Sequence, residues 1–362
     1  MRAAWVTFAA AALFAVGAAA AEPEAYRISG PVVHENLQIY FVHGKSADGP
    51  VPLTLQEALA KGSAVVRETG SVNQLEVENT GESAVFIQSG DIVKGGRQDR
   101  VLTVSLIIPP HSGAMPIASF CVEQGRWTAR GREDSHRFET ASAAVPSREA
   151  KIAMKAPAAA APPSAGTAPS GTTRSHPAYL SSLDVSQRQQ EVWKDVAKVQ
   201  DKLSQAVAAP VASPDSRSSL QLSLENEKLK EAQAGYVKAL QPAGEAGDDV
   251  IGYIFAINGK LNSADLYPSN GLFRKMWPKL LAANAVEAIG DKAAAKSATL
   301  PSEADVLAFL KSAEAGKGIE QPLIGGNKLE TREATGALFF ETRVPSAPSA
   351  NAAWVHRNYI AK

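Results

Sequence analysis

Three observations predict an α+β fold for this chain of 362 residues. Residues 22–142 are β-rich, built from short apolar runs and period-two alternation. Residues 143–180 are dominated by Ala, Pro, Ser and Gly. Residues 181–362 combine helical and strand periodicities without the regular β-then-α alternation of a doubly wound sheet.

At the start of the chain, Met1-Arg2 precedes an uncharged run from Ala3 to Val16, then Gly17 and four alanines, then Glu22. A basic start, a short apolar core and a small-residue exit make residues 1–21 a predicted signal peptide, cut after Ala21. The run is shorter than the ~20 residues that span a bilayer. The expected destination is the periplasm or the medium, with no stable membrane insertion once the signal is removed. Cys121 is the only cysteine, so neither a lipidated cysteine at the cleavage site nor an internal disulfide is available. Loss of residues 1–21 removes Arg2 alone among the charged residues, leaving 36 basic against 37 acidic side chains. Such a balance gives no field to attract nucleic acid or an anionic membrane surface.

From Val32 to Asn79 the pattern is strand-rich. Leu37 to Val42 is an apolar run, and Thr54 with Glu57 has the spacing of a capping box before a short helix. Leu75 and Val77 alternate with polar neighbours as in a half-buried strand. Asn79 to Glu82 reads as a turn, with Ala84 to Ile87 as the returning strand. Val101 to Ile108 is apolar or hydroxylic throughout and reads as one strand covered on both faces. Ile117 to Val122 is the next, with Ser119, Cys121 and Glu123 on one face.

Residues 143–180 are expected to form an extended, solvated linker. Beyond it, Asp184 and Gln187 can cap a helix carrying Val192, Val196, Val199, Leu203 and Val207. Leu222, Leu229, Ala232, Tyr236 and Leu240 supply a partner helix, and the two are expected to pair as a hairpin. Val250 to Ile257 is a buried-strand pattern, turned back by Asn258-Gly259. Ser269 starts a helix through Val286 that contains Pro278, Ser302 starts another, and strands return at Gly336 to Thr342 and Ala353 to Ile360.

The densest polar stretch is Gln88 to Arg132. Gly95-Gly96 permits positive φ and leaves amides unshielded, while Arg97 and Arg100 carry forks suited to carboxylate or phosphate; with Gln98 and Asp99 between them, the segment could form an anion pocket. Glu123, Arg126 and Trp127 would extend it, because an indole beside guanidinium and carboxylate holds a polar ring or sugar. The same residues also suit a purely internal role, with Arg97 or Arg100 tied to Asp99, Glu123 or Asp91, and Trp127 in the core. Arg126, Arg130, Arg132 and Arg137 are offset by Glu133, Asp134 and Glu139. Cys121 invites a nucleophile reading, with His111 or His136 as base, against the alternative of inert filling. The six histidines include no pair four apart and no HExxH, so no metal site or cofactor is expected, and no Gly-x-x-x-x-Gly-Lys-Ser/Thr phosphate loop of the NTPase kind occurs.

Gly90 to Arg100 and Cys121 to Trp127 resemble the bacterial ARG and rhodanese-phosphatase-superfamily-associated domain. Gly252 to Lys260, Asp265 to Tyr267, Leu272 to Leu281 and Trp354 to Tyr359 are similar as well. The resemblance implies one folding unit made by both halves, with residues 143–180 looped out, and implies no particular reaction. Three functions fit the residues. The first is a non-catalytic exported protein binding a small anionic or carbohydrate-like ligand, or a protein partner, through Gly95 to Arg100 and Glu123 to Trp127. The second is a hydrolase or transferase with Glu123 as general base and Arg97 and Arg100 holding the substrate anion. The third is a structural envelope protein docking through the helices from Asp184 to Leu240.

Overall fold

A computed structural model describes residues 26–155, 185–292, 299–344 and 353–362. The expected signal peptide, the linker from residue 156 onward and the Asp184 cap lie outside the described residues.

Strands β1 (Arg27–His34) and β2 (Leu37–His43) open the chain. They are followed by β3 (Leu53–Thr54), α1 (Leu55–Ala60), β4 (Ala64–Ser71), β5 (Gln74–Asn79), β6 (Val85–Ile87), β7 (Asp91–Gly95), β8 (Arg100–Leu102), β9 (Leu106–Ile108), β10 (Gly113–Cys121) and β11 (Arg137–Ala144). Four helices come next: α2 (Arg148–Lys155), α3 (Val185–Ala206), α4 (Leu220–Leu224) and α5 (Glu227–Glu245). The chain ends with β12 (Val250–Ile257), β13 (Lys260–Leu266), α6 (Asn270–Gly290), α7 (Glu303–Glu314), β14 (Lys317–Pro322), β15 (Lys328–Glu333), β16 (Ala337–Arg343) and β17 (Trp354–Ala361). The architecture is α+β.

The two strand-rich regions share one antiparallel sheet of eight strands, ordered β1-β2-β12-β13-β17-β16-β15-β14. Its seam is the β2–β12 ladder, where Phe41 faces Tyr253 and Ile39 faces Phe255. Both faces are covered there. Phe41, Tyr253 and Phe255 pack under Phe273 and Trp277 of α6, while Tyr40, Val42 and Ile254 meet Val306 and Leu310 of α7. Every residue of β12 is therefore buried, which is why its sequence is apolar without alternation.

The rest of the N-terminal strands close into a six-stranded barrel, β10-β5-β4-β11-β7-β8, filled by Val66, Leu75, Val77, Leu102, Ile117 and Phe138. A three-stranded sheet, β3-β6-β9, joins barrel to main sheet. Two expected connections change accordingly. The run from Val101 to Ile108 divides into β8 and β9, which belong to different sheets. Strand β6 pairs with β3 and β9 instead of returning along β5. Alternation records which face of a strand is dry but not which neighbour dries it.

The first residues of the expected linker are structured. Residues 143 and 144 end β11, and α2 buries Ala150, Ala153 and Met154 against the outer barrel residues Ile92, Val101, Phe120 and Val122. The helical spacing of these few residues is diluted by the Ala- and Pro-rich sequence that follows them. Val192 and Val196 of α3 cover the same barrel face. Both helices of the expected hairpin, α3 and α5, pack on α6 more extensively than on each other. The local signals hold. Thr54 and Glu57 form a capping box, Ser269 and Ser302 cap α6 and α7, and Asn258-Gly259 turns β12 into β13 with both residues at positive φ. No helix among the described residues is long and apolar enough to cross a membrane.

Candidate functional site

The loop from β7 to β8 carries Gly95 to Asp99, and the segment after β10 carries Glu123 to Trp127. The barrel brings the two together through antiparallel pairing of β8 with both β7 and β10. Gly95 and Gly96 sit at φ of 118° and 57°. A Cβ on Gly96 would lie 2.6 Å from the Phe138 ring and 2.9 Å from the Glu68 carboxylate, so only glycine fits this turn.

The amides that this turn exposes are already filled by the chain itself. Gly95 N–H donates to Asp99 Oδ1 (3.0 Å), Arg97 N–H to Glu68 Oε1 (3.0 Å) and Asp99 N–H to Glu123 Oε2 (2.9 Å), while Gly96 N–H donates to the Arg137 carbonyl (2.9 Å). The arginine forks follow the same plan. Arg126 donates to both oxygens of Glu123, at 2.7 and 2.8 Å, and to the carbonyls of Gly95, Gly96 and Thr128. Arg100, fully buried, points at Glu68 (3.3 Å) and at the backbone and side-chain oxygens of Gln98. Gln98 in turn donates to the Glu123 carbonyl. The anion pocket expected over Gly95 to Arg100 is thus occupied by Glu68, Asp99 and Glu123, and Arg100 pairs with Glu68 rather than with Asp91, Asp99 or Glu123. Glu68 lies some thirty residues upstream on β4, and only barrel closure brings it here.

Burial by itself would raise the pKa of Glu123. Hydrogen bonds from Arg126, Ser216 and the Asp99 amide, with the Arg126 charge, outweigh it and hold the carboxyl below its ordinary range. A fully buried carboxylate with both oxygens engaged is poorly placed to take a proton from a substrate. Cys121 is buried too, its Sγ 3.1 Å from Gln98 Oε1, and burial pushes its thiol up to about 11. The thiolate needed for nucleophilic attack is therefore scarce near neutral pH.

Arg130, read in the sequence only as part of a neutralised stripe, proves central. Its guanidinium binds Asp99 at 3.0 and 3.1 Å, Glu133 at 2.9 Å and Glu123 at 3.4 Å. Ser219, the cap of α4, donates to Asp99 as well and ties the cluster to the helical layer. The Arg130/Glu133 spacing was the one local signal of this role.

Two guanidinium groups stand apart. Among the described residues neither Arg97 nor Arg132 makes an ion pair. Arg97 lies 5.6 Å from the centroid of Trp127, whose ring is 42 % exposed, with Arg100 at 5.7 Å. Trp127 is therefore a surface residue, not core. A groove of about 880 Å³ is lined by Lys94, Arg126, Thr128, Arg130, Arg132, Glu133, Glu139, Asp215, Ser216 and Glu225, and neither Arg97 nor Trp127 belongs to its lining. Lys94 is paired with Glu225 at 2.8 Å. No group of three or more His, Cys, Asp or Glu among the described residues is placed to hold a metal ion.

A second polar cluster is closed to solvent. Asp265 accepts from Tyr253, Asn358 and His356, His356 reaches Ser105, Lys279 pairs with Asp91, and Lys155 donates to Asn358, joining α2, α6, the barrel and the main sheet. Its members are all buried, which makes it a tie between layers.

No curated protein and no solved structure matches the chain. One protein family does, over residues 25–360, a span that takes in the barrel, the main sheet and the segment between them. By that match the chain belongs to the family described as the ARG and Rhodanese-Phosphatase-superfamily-associated Protein domain, ARPP-1.

Proposed function

We propose that this is an exported binding protein that takes a small anionic or carbohydrate-like ligand, or a protein partner, at Arg97 and the exposed Trp127 ring without carrying out chemistry there. One observation carries the reading. In a cluster where Arg100, Arg126 and Arg130 are all spent on internal carboxylates, Arg97 makes no ion pair among the described residues and rests against an exposed indole. A free guanidinium next to an accessible aromatic ring holds a carboxylate, phosphate or sugar at small cost in reorganisation, because the saturated cluster beneath keeps it in place. The ligand-contacting residues on this reading are Arg97 and Trp127. Gly95, Gly96, Gln98, Asp99, Arg100, Glu123 and Arg126 form the scaffold beneath them.

Export rests on the residue 1–21 pattern alone. The general-base alternative is disfavoured by the full burial of Glu123. Isothermal titration with inorganic phosphate, a hexuronate and a neutral hexose tests the binding reading. Trp127→Ala and Arg97→Ala, at unchanged melting temperature, should each weaken the best of these by roughly tenfold. Equal affinities in wild type and both variants, or no heat with any probe, would overturn it.

A further inference from the structure

Away from the groove, three residues from neighbouring strands form a chain of hydrogen bonds. Ser29 Oγ lies 2.7 Å from His43 Nε2, and His43 Nδ1 lies 2.8 Å from Asp249 Oδ1. Ser29 is on β1, His43 is the last residue of β2, and Asp249 immediately precedes β12. The ladders set Arg27 opposite His43 and His43 opposite Val250, so adjacent strands deliver all three groups to one spot. Asp249 is fixed further by Arg27 (2.8 Å), and the Gly44 amide donates to its carbonyl (2.9 Å).

The order of the bonds is the informative part. The His43 hydrogen bond chiefly, with help from Arg27, holds Asp249 in its ionised, accepting form. With Asp249 accepting, a neutral His43 carries its proton on Nδ1, and its Nε2 lone pair faces the Ser29 hydroxyl proton. This is the hydroxyl, imidazole and carboxylate relation of serine nucleophiles. The buried Ser105, His356 and Asp265 offer the comparison: there the serine meets Nδ1 and the carboxylate Nε2, and the His356 and Asp265 side chains are only 2 % and 6 % exposed. Around Ser29 the site is open, with side-chain exposures of 13 % for His43 and 48 % for Asp249, and Ser29 itself is half-buried. The ladder also skips from Ser29 to Val32, so Gly30 and Pro31 bulge out beside the hydroxyl on the outermost strand of the sheet.

We propose that Ser29 is an acyl-accepting nucleophile and that Ser29, His43 and Asp249 hydrolyse carboxylic esters of small acyl groups. Ser29 Oγ bonds to the ester carbonyl carbon as its proton passes to His43 Nε2. The alkoxide leaves with that proton, producing an acyl-serine and an alcohol. Water then attacks the acyl-serine, again giving a proton to Nε2, and returns Ser29 and a carboxylic acid. Asp249 keeps the imidazole in the required tautomer and stabilises the imidazolium. The activity is separate from ligand binding at Arg97 and Trp127.

The test is phosphonylation of the full chain by a fluorophosphonate, read by intact mass and peptide mapping, with hydrolysis of 4-nitrophenyl acetate in parallel. One adduct on Ser29 is expected, absent from Ser29→Ala and from heat-unfolded wild type. His43→Gln should slow labelling by about a hundredfold or more, the contribution expected of a general base. Asp249→Asn, which preserves the shape of the site, should also slow it. Absence of a Ser29 adduct on the folded wild type, or equal labelling rates in wild type and a folded His43→Gln or Asp249→Asn variant, would overturn the proposal.

Discussion

Removing Arg126 tests whether the candidate site is a scaffold of mutually neutralising charges. The side chain is 10 % exposed and makes five hydrogen bonds, two of them to the carboxylate of Glu123, which is completely buried. Stripping one partner from a buried ion pair costs about 3 to 5 kcal/mol, because the other charge is left without compensation. Here Arg130 stays 3.4 Å from Glu123 and the Asp99 amide still donates at 2.9 Å, so the lower end applies, about 3 kcal/mol. Urea unfolding followed by circular dichroism should show that loss for Arg126→Ala, with a similar loss for Glu123→Gln. The double variant should fall short of additivity by about 2 kcal/mol, since both changes break the same contact. The pH dependence carries a sign. Glu123 has a folded pKa below its ordinary value of 4.5, so its stabilisation is present above that pH and is lost as pH falls through the folded value. Wild type should therefore lose more stability on acidification below about pH 4.5 than Arg126→Ala does. Single variants within 1 kcal/mol of wild type, or strict additivity, would refute this account of the cluster.

Three further outcomes follow from buried groups. Cys121, its thiol raised to about 11, should resist iodoacetamide at pH 8 in the folded protein and react on unfolding; native modification at the rate of a free thiol would contradict its burial. Gly244→Ala would set a Cβ 2.3 Å from the indole nitrogen of fully buried Trp277, so thermal unfolding should show a net loss of about 1 to 3 kcal/mol despite the better helix propensity of alanine; an equal or higher melting temperature would count against the packing. Burial pulls Lys155 down to about 7, with Asp265 opposing, from an ordinary 10.5. Above pH 7 the unfolded chain binds the proton that the folded one has released, so the cost of burying Lys155 falls, and stability rises, by up to ~1.4 kcal/mol per pH unit until about 10.5. Lys155→Met should remove that slope, and an unchanged profile would show that another group sets it.

Much of the local structure was legible because its causes lie within a few residues. The capping box of Thr54 and Glu57, the caps Ser269 and Ser302, and the Asn258-Gly259 turn all stand where the spacing put them. The candidate site was legible as a cluster, since Gly95 to Arg100 and Glu123 to Trp127 do converge. Its charge state was not. Glu68, which fills the expected anion position, belongs to another strand, and Arg130 reads in the sequence only as part of a stripe offset by Glu133, Asp134 and Glu139.

Sequence alone therefore settled the α+β class, the positions of the major helices and strands, and the residues that gather beside Trp127. Tertiary structure decided that β2 and β12 join two distant regions into one sheet, that β4 through β11 supply a closed barrel, and which arginines remain free. The division has a physical cause. Backbone propensities, caps and turns act over a few residues, whereas the pairing of strands and the neutralisation of a buried charge depend on groups far apart along the chain, brought within bonding distance only when the core closes.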